Sequence, residues 1–194
     1  MIYITRRLKL DKRVILIIGG ARSGKSRFAR ELALKWGEPV LFVATAVAGD
    51  EEMKQRIEEH RRERPADWHT LEITTHIGSH IRQKIGGARV VVVDCITLLV
   101  NNIFGQYGDQ LDAQLIEEKL TCEINELVEC IKQVDASFIM VTNDVGLGLV
   151  PANRMGRLYR DLLGKANQIL AQCAGEVYLM VAGLPVKIEP AKNL

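Results

Sequence analysis

Val14-Ile-Leu-Ile-Ile-Gly-Gly-Ala-Arg-Ser-Gly-Lys-Ser26 is an apolar run that breaks into a glycine-bracketed loop, and Arg27 to Trp36 then continues with helical period. Gly19, Gly20, Ala21, Arg22, Ser23, Gly24, Lys25 and Ser26 satisfy the pattern G-x-x-x-x-G-K-[ST] in the strand, loop and helix setting that it requires. The glycines let the backbone wrap an anion with its N–H groups turned inward, at a helix start where partial positive charge collects. Lys25 is placed to reach the outer phosphates of a nucleotide, and the Ser26 hydroxyl to ligate Mg2+. Glycine-rich turns that bind nothing are common, but the full pattern in this setting is not, and nucleotide binding is the expectation.

Working outward, further continuous apolar runs occur at Val40 to Ala44, Val90 to Val93, Phe138 to Val141 and Val177 to Ala182. Between the runs, Arg27 to Trp36, Asp50 to Arg62, Leu111 to Val134 and Arg154 to Ala174 have helical period. Runs that do not alternate mark strands covered on both faces. The alternation of strand and helix predicts an α/β fold: a doubly wound, mainly parallel sheet of the P-loop (RecA-like) type. Ligands of such sheets sit beyond the carboxyl ends of the strands. There the sequence places the phosphate loop, Thr45, Asp94 with Thr97, and Thr142-Asn-Asp144.

No repeat, low-complexity tract or linker divides the chain, so residues 14–194 are expected to form a single nucleotide-binding catalytic domain behind an extension, residues 1–13. Three readings of the extension stay open: a flexible arm, an extra edge strand at Ile2-Tyr-Ile-Thr5, or the product of an upstream start codon. A net charge of +2 from 26 basic and 24 acidic residues argues against a broad nucleic-acid or membrane-binding field. No apolar stretch has transmembrane length and Met1 to Arg13 lacks the apolar core of a secretion signal, so no membrane insertion and a cytoplasmic location are expected. Cys95, Cys122, Cys130 and Cys173 form no C-x-x-C pair and read as reduced, packed core residues.

Asp94 ends Val90-Val-Val-Val93, an arrangement in which an acid at a strand tip holds Mg2+ directly or through water. Asp50 is a plausible N-cap for a very polar helix that stops before Pro65. On it Met53, Ile57 and His60 share one stripe, so His60 is expected to face the protein, ringed by Arg61, Arg62 and Arg64 in a way that favours bound phosphate. By spacing alone His60 reads first as a half-buried histidine on a salt-bridged helix. His69, His76 and His80 have no metal-ligand spacing with any cysteine and read as surface or core residues. Val141-Thr-Asn-Asp-Val-Gly-Leu-Gly-Leu-Val-Pro151 is a glycine loop at a strand tip that can close over a ligand. After it Met155, Leu158 and Leu162 form a buried stripe with Arg154, Arg157 and Arg160 off it; Arg157 reads as solvated, Arg154 as part of the loop's surroundings.

The phosphate loop, Ala44-Thr45, Arg56-Ile57 with His60, Arg64-Pro65 and Trp68, and Asp94-Cys-Ile-Thr97 with Asn101 occur in a familiar order. Val141-Thr-Asn143, Val145-Gly146, Val150-Pro151, Asn153-Arg154, Arg160-Asp161 and Asn167-Gln168 complete it, over about residues 14 to 188. In this the chain resembles the bifunctional adenosylcobinamide kinase / adenosylcobinamide-phosphate guanylyltransferase family of cobalamin biosynthesis. It departs at Asp144, where Glu is expected, and at Ala152, where an acid is usual. The resemblance implies that the γ-phosphoryl group of ATP or GTP passes to the hydroxyl of the aminopropanol arm of adenosylcobinamide. It implies next that a histidine attacks the α-phosphorus of GTP, expels pyrophosphate and passes GMP to the new phosphate ester, giving adenosylcobinamide-GDP. By motif the histidine is His60, and Lys25 acts in the phosphate loop. Nucleotide contacts fall at Ala44, Thr45, Ala46, Arg61, Arg62, Glu63, Arg64, Glu72 and Asp94, with Ser26 and Asp94 on Mg2+. A carboxylate at Glu72 suits the N1 and N2 donors of guanine. A homo-oligomer, a trimer, is implied as well.

Three other readings compete. One is a P-loop kinase of another small alcohol with His60 structural. A regulatory GTP switch is a second, although its N-K-x-D pattern is absent. A DNA-dependent ATPase is the third, disfavoured by the charge balance.

Overall fold

A computed structural model of the chain describes residues 12–106 and 112–188. The possible strand at Ile2-Tyr-Ile-Thr5 and the predicted helix start at Leu111 lie outside them. The elements run β1 (Val14–Gly19), α1 (Lys25–Trp36), β2 (Val40–Ala44), α2 (Glu51–Arg62), β3 (His69–Glu72), α3 (Ile77–Lys84) and β4 (Val90–Asp94). Then follow α4 (Ile96–Gly105), α5 (Ala113–Gln133), β5 (Ser137–Asn143), α6 (Arg154–Cys173), β6 (Glu176–Val181) and β7 (Leu184–Ile188).

The strands form one sheet in the order β3-β2-β4-β5-β1-β6-β7, parallel except for the antiparallel pair β6 and β7. β1 lies between β5 and β6, with Gly19 level with Asn143 and Met180, so the phosphate loop leaves a strand with neighbours on both sides. Successive side chains take opposite faces. Leu16, Val91, Val93, Phe138 and Met140 pack with α3, α4, α5 and α6. Ile15, Ile17, Val90, Val92, Ile139 and Val141 pack with Ala29 and Ala33 of α1.

Local chemistry sets the helix ends. Gly37 closes α1 in the left-handed region at φ 65°, donating its N–H to the Leu34 carbonyl at 3.1 Å. Asp50, Asp112 and Asn153 each accept a first-turn N–H, capping α2, α5 and α6. α3 has no cap of its own, and α5 supplies one: the buried Glu123 carboxylate accepts the N–H groups of His76 at 2.7 Å and Ile77 at 2.9 Å. The two helices approach so closely that a Cβ on Gly78 would stand 2.5 Å from the Glu126 carbonyl oxygen.

Four elements have no counterpart among the apolar runs and helical periods. β3 is an edge strand whose one half-buried residue is Leu71, and β7 is exposed along its length. α3 is eight residues long, and α4 is buried over most of its circumference. Among the cysteines, Cys130 is buried and Cys95 and Cys173 are half-buried, but Cys122 is exposed on the outer side of α5, which corrects its reading as a core residue. No helix among the described residues is long and apolar enough to cross a membrane.

Candidate active site at the carboxyl edge of the sheet

The phosphate loop is built against the far end of the chain. The Gly183 N–H, in the turn between β6 and β7, donates to the Ser23 carbonyl at 3.0 Å. A Cβ at Gly19 would stand 2.7 Å from the Met180 carbonyl oxygen, so this position must be glycine for the two strands to meet. At the end of the loop Lys25 is 8% exposed, and its ammonium donates to the Gly20 carbonyl at 2.5 Å, curled over the loop it serves. Burial pulls its pKa below the usual lysine range, and the nearby Asp94 charge opposes that shift. Ser26 follows, half-buried in the first turn of α1.

Asp94 ends β4 level with Ala44 on one side and Val141 on the other. The residues around it are held by a polar network. Thr45 is fully buried; its hydroxyl donates to the Cys95 carbonyl at 2.7 Å and accepts the Cys95 N–H at 2.9 Å. The Thr45 side chain is thereby committed to the backbone beside Asp94, leaving the half-buried Ala46 as the open position of that trio. Asn102 on α4 donates to the carbonyls of Thr45 at 2.8 Å and Thr74 at 3.1 Å, tying the loops after β2 and β3 together. It is Asn102, and not the exposed Asn101 of the sequence motif, that does this. Thr97 accepts the Asn143 N–H at 2.7 Å, and Asn167 donates to the Asn143 carbonyl at 3.1 Å, which fixes the tip of β5. Burial pushes the Cys95 thiol up to about 12, so it is protonated and no nucleophile.

Met53, Ile57 and His60 are the three half-buried residues of α2, the stripe that the sequence pattern predicts; none is fully buried. His60 stands in the last turn of α2 with Arg61 and Arg62. Arg61 is ion-paired with Glu72 at the end of β3, so a base approaching Glu72 meets a carboxylate already engaged. Glu63 pairs with Arg30 of α1 at 2.8 Å, linking the end of α2 to the helix of the phosphate loop. Arg64 lies over the Phe42 ring, 4.1 Å from guanidinium carbon to ring centroid, and Phe42 stacks on Trp68. Its Nε and Nη1 are buried without a hydrogen-bond partner. Burial lowers its pKa, while Asp94 and Glu72 draw it back.

The loop from β5 to α6 adjoins the phosphate loop, with the Asp144 N–H on the Gly19 carbonyl at 3.2 Å. The shorter acid at this position turns back on its own loop and accepts the Gly146 N–H at 2.8 Å. Arg157 donates to the carbonyls of Pro151 at 3.0 Å and Ala152 at 2.7 Å, so it braces the loop and is more than a solvated basic face. Arg154 is exposed. Of the remaining histidines, His69 and His76 are exposed and His80 half-buried; no group of three His, Cys, Asp or Glu side chains among the described residues is placed to hold a metal ion.

A phosphate loop on an interior strand of a mainly parallel sheet, with a buried lysine at its end and an acid at the same edge, defines a P-loop α/β protein of the phosphoryl-transfer class. Within that class residues 15–188 match the family model for cobinamide kinase / cobinamide phosphate guanyltransferase, and the chain belongs to that family. It is 41% identical over 181 residues to the bifunctional adenosylcobalamin biosynthesis protein CobU of Escherichia coli, covering 91% of this chain and 99% of the relative. The protein of the same name from Salmonella typhimurium is 39% identical over 181 residues, with the same coverage. CobP of Pseudomonas aeruginosa, also a bifunctional adenosylcobalamin biosynthesis protein, is 40% identical over 174 residues, covering 90% of this chain and 96% of the relative.

Proposed function

We propose that the chain carries out both reactions of its family, phosphorylating adenosylcobinamide with ATP or GTP and then transferring GMP from GTP to the phosphate ester, by way of a covalent guanylyl-His60. Phosphoryl transfer needs positioning and charge neutralisation more than covalent help. The loop amides and Lys25 supply these while the substrate hydroxyl attacks the γ-phosphorus, its proton passes to water and the bond to the departing nucleoside diphosphate breaks. The donor set fits Mg2+, which takes a few protein oxygens and completes its shell with phosphate and water; Ser26 and Asp94 would hold it, and it would neutralise phosphate charge.

For the second reaction two anions must meet, and an uncharged imidazole divides that step. A His60 nitrogen bonds to the α-phosphorus of GTP as pyrophosphate leaves. The phosphate ester of the cobinamide then bonds to the same phosphorus as the nitrogen departs. The observation that carries this reading is the placing of His60, half-buried in the final turn of α2 and leading into an arginine run whose Arg64 holds two buried donors without partners. Buried donors of this kind are costly until an acceptor arrives, and a nucleotide oxygen satisfies them. Incubation with GTP labelled at the α-phosphate is expected to leave acid-labile, base-stable label on the wild type and none on His60→Ala. Label on both proteins, or on neither, removes His60 from the chemistry.

A homo-oligomer, a trimer by family resemblance, is supported by the sheet edge. Val181 faces Leu184, Leu179 faces Val186 and Val177 faces Ile188 across β6 and β7, an aliphatic ladder of which one copy leaves Val181, Leu184, Val186 and Ile188 exposed. A cytoplasmic setting fits the four free thiols.

A further inference from the structure

Beside the phosphate loop three large aliphatic side chains stand in water on one short loop: Leu147 is 80% exposed, Leu149 97% and Val150 64%. Apolar area of this kind on a loop next to a reaction centre marks a surface that meets a ligand. The loop is pinned at both ends. At its start the Asp144 N–H holds the Gly19 carbonyl and the Asp144 carboxylate holds the Gly146 N–H. At its finish Arg157 grips the Pro151 and Ala152 carbonyls, and Asn153 caps α6 at the Gly156 N–H, 2.6 Å away. The leucines are thus presented outward from fixed ends, with Gly146 and Gly148 beside them adding no side chain to shield them.

Their position relative to the nucleotide machinery is telling. The loop leaves β5 for α6, on the sheet face covered by α3 to α6, whereas α1 and the Phe42–Trp68–Arg64 stack lie on the opposite face. The phosphate loop therefore has the Arg64 stack towards one face of the sheet and, towards the other, a loop that adds exposed aliphatic surface beside the arginines at the start of α6. The family's acceptor is a large macrocycle edged with methyl and amide groups, whose reacting hydroxyl hangs on a flexible arm. Binding energy for such a substrate has to come from the ring, remote from the bond being made.

We propose that Leu147, Leu149 and Val150 form the acceptor platform, holding the apolar edge of the cobinamide ring so that its arm reaches the phosphoryl group over Lys25. The proposal rests on the kinase reading above. The test is steady-state phosphorylation of adenosylcobinamide by ATP in the Leu147→Ser/Leu149→Ser double variant, beside Leu147→Met/Leu149→Met. The serine variant is expected to raise KM for adenosylcobinamide about tenfold or more, with KM for ATP and the sedimenting mass unchanged, and the methionine variant to stay near the wild type. An unchanged KM for adenosylcobinamide in a wild-type-active background overturns the platform alone. So does a smaller assembly in the serine variant, which would make the loop a subunit contact. A wild type that binds ATP yet never phosphorylates adenosylcobinamide overturns the kinase reading first and the platform with it.

Discussion

Arg64 is held by packing and left wanting by hydrogen bonding: its guanidinium covers Phe42 while Nε and Nη1 have no acceptor. Leaving buried donors unpaired costs about 1–3 kcal/mol, and satisfying them on ligand binding returns it. Arg64→Met keeps the contact with the ring and removes the donors. It is expected to hold or raise Tm in calorimetry while weakening GTP binding about tenfold or more; unaltered GTP affinity in equilibrium dialysis would show that no ligand oxygen uses Arg64. The half-buried placement of His60 was legible in the sequence because an isolated stripe on a polar helix has one geometric meaning, and the three residues of that stripe are the half-buried ones of α2; the role proposed for it came from the family resemblance. The demand of Arg64 was not, since an arginine after a helix gives no sign of whether its nitrogens end in water. Asn102 escaped for a related reason: its partners are main-chain carbonyls after two strands that only the folded sheet brings together.

Among the elements, α3 depends most on a neighbour. Its first N–H groups are satisfied by Glu123, a carboxylate only 5% exposed on another helix. Glu123→Leu keeps the bulk and strands those donors, so it is expected to destabilise by about 2 kcal/mol or more, lowering Tm by roughly 5 °C or more. An unchanged Tm would mean that water or a side chain readily replaces the acid. The buried strands were readable as unbroken aliphatic runs, with bounds that agree to within a residue or two at each end. β3 and β7 were not, because edge strands bury too little to show a pattern; Leu71 is the sole half-buried residue in one, and the other includes Pro185. α4 was hidden by the opposite circumstance, since Ile96, Leu99, Val100, Ile103 and Phe104 are buried around most of its girth and blur the helical stripe.

For the whole molecule, the sheet has one edge whose side chains favour company. The ladder on β6 and β7 leaves Val181, Leu184, Val186 and Ile188 each more than two-fifths exposed. Val186→Glu places a charge at its centre and, if the proposed homo-oligomer uses this edge, is expected to give monomers in sedimentation velocity where the wild type gives the oligomer, with the folded content by circular dichroism retained. An undiminished assembly would assign the subunit contact to another surface. The mainly parallel sheet was legible from the alternation of apolar runs and helical periods; the exposed ladder was not, because Val177 to Ala182 reads like any core strand until its neighbours are known.

The position of β1 has a consequence for the growing chain. Among the described elements it is synthesised before both of its flanking strands, with many elements between: Val14 must wait for Phe138, and Ile15 for Glu176. Chains emerge amino terminus first, and pairings between distant segments form slowly. β1 is therefore made long before its neighbours, and the phosphate loop that follows it gains its backing from Gly183 only once the turn between β6 and β7 has been synthesised.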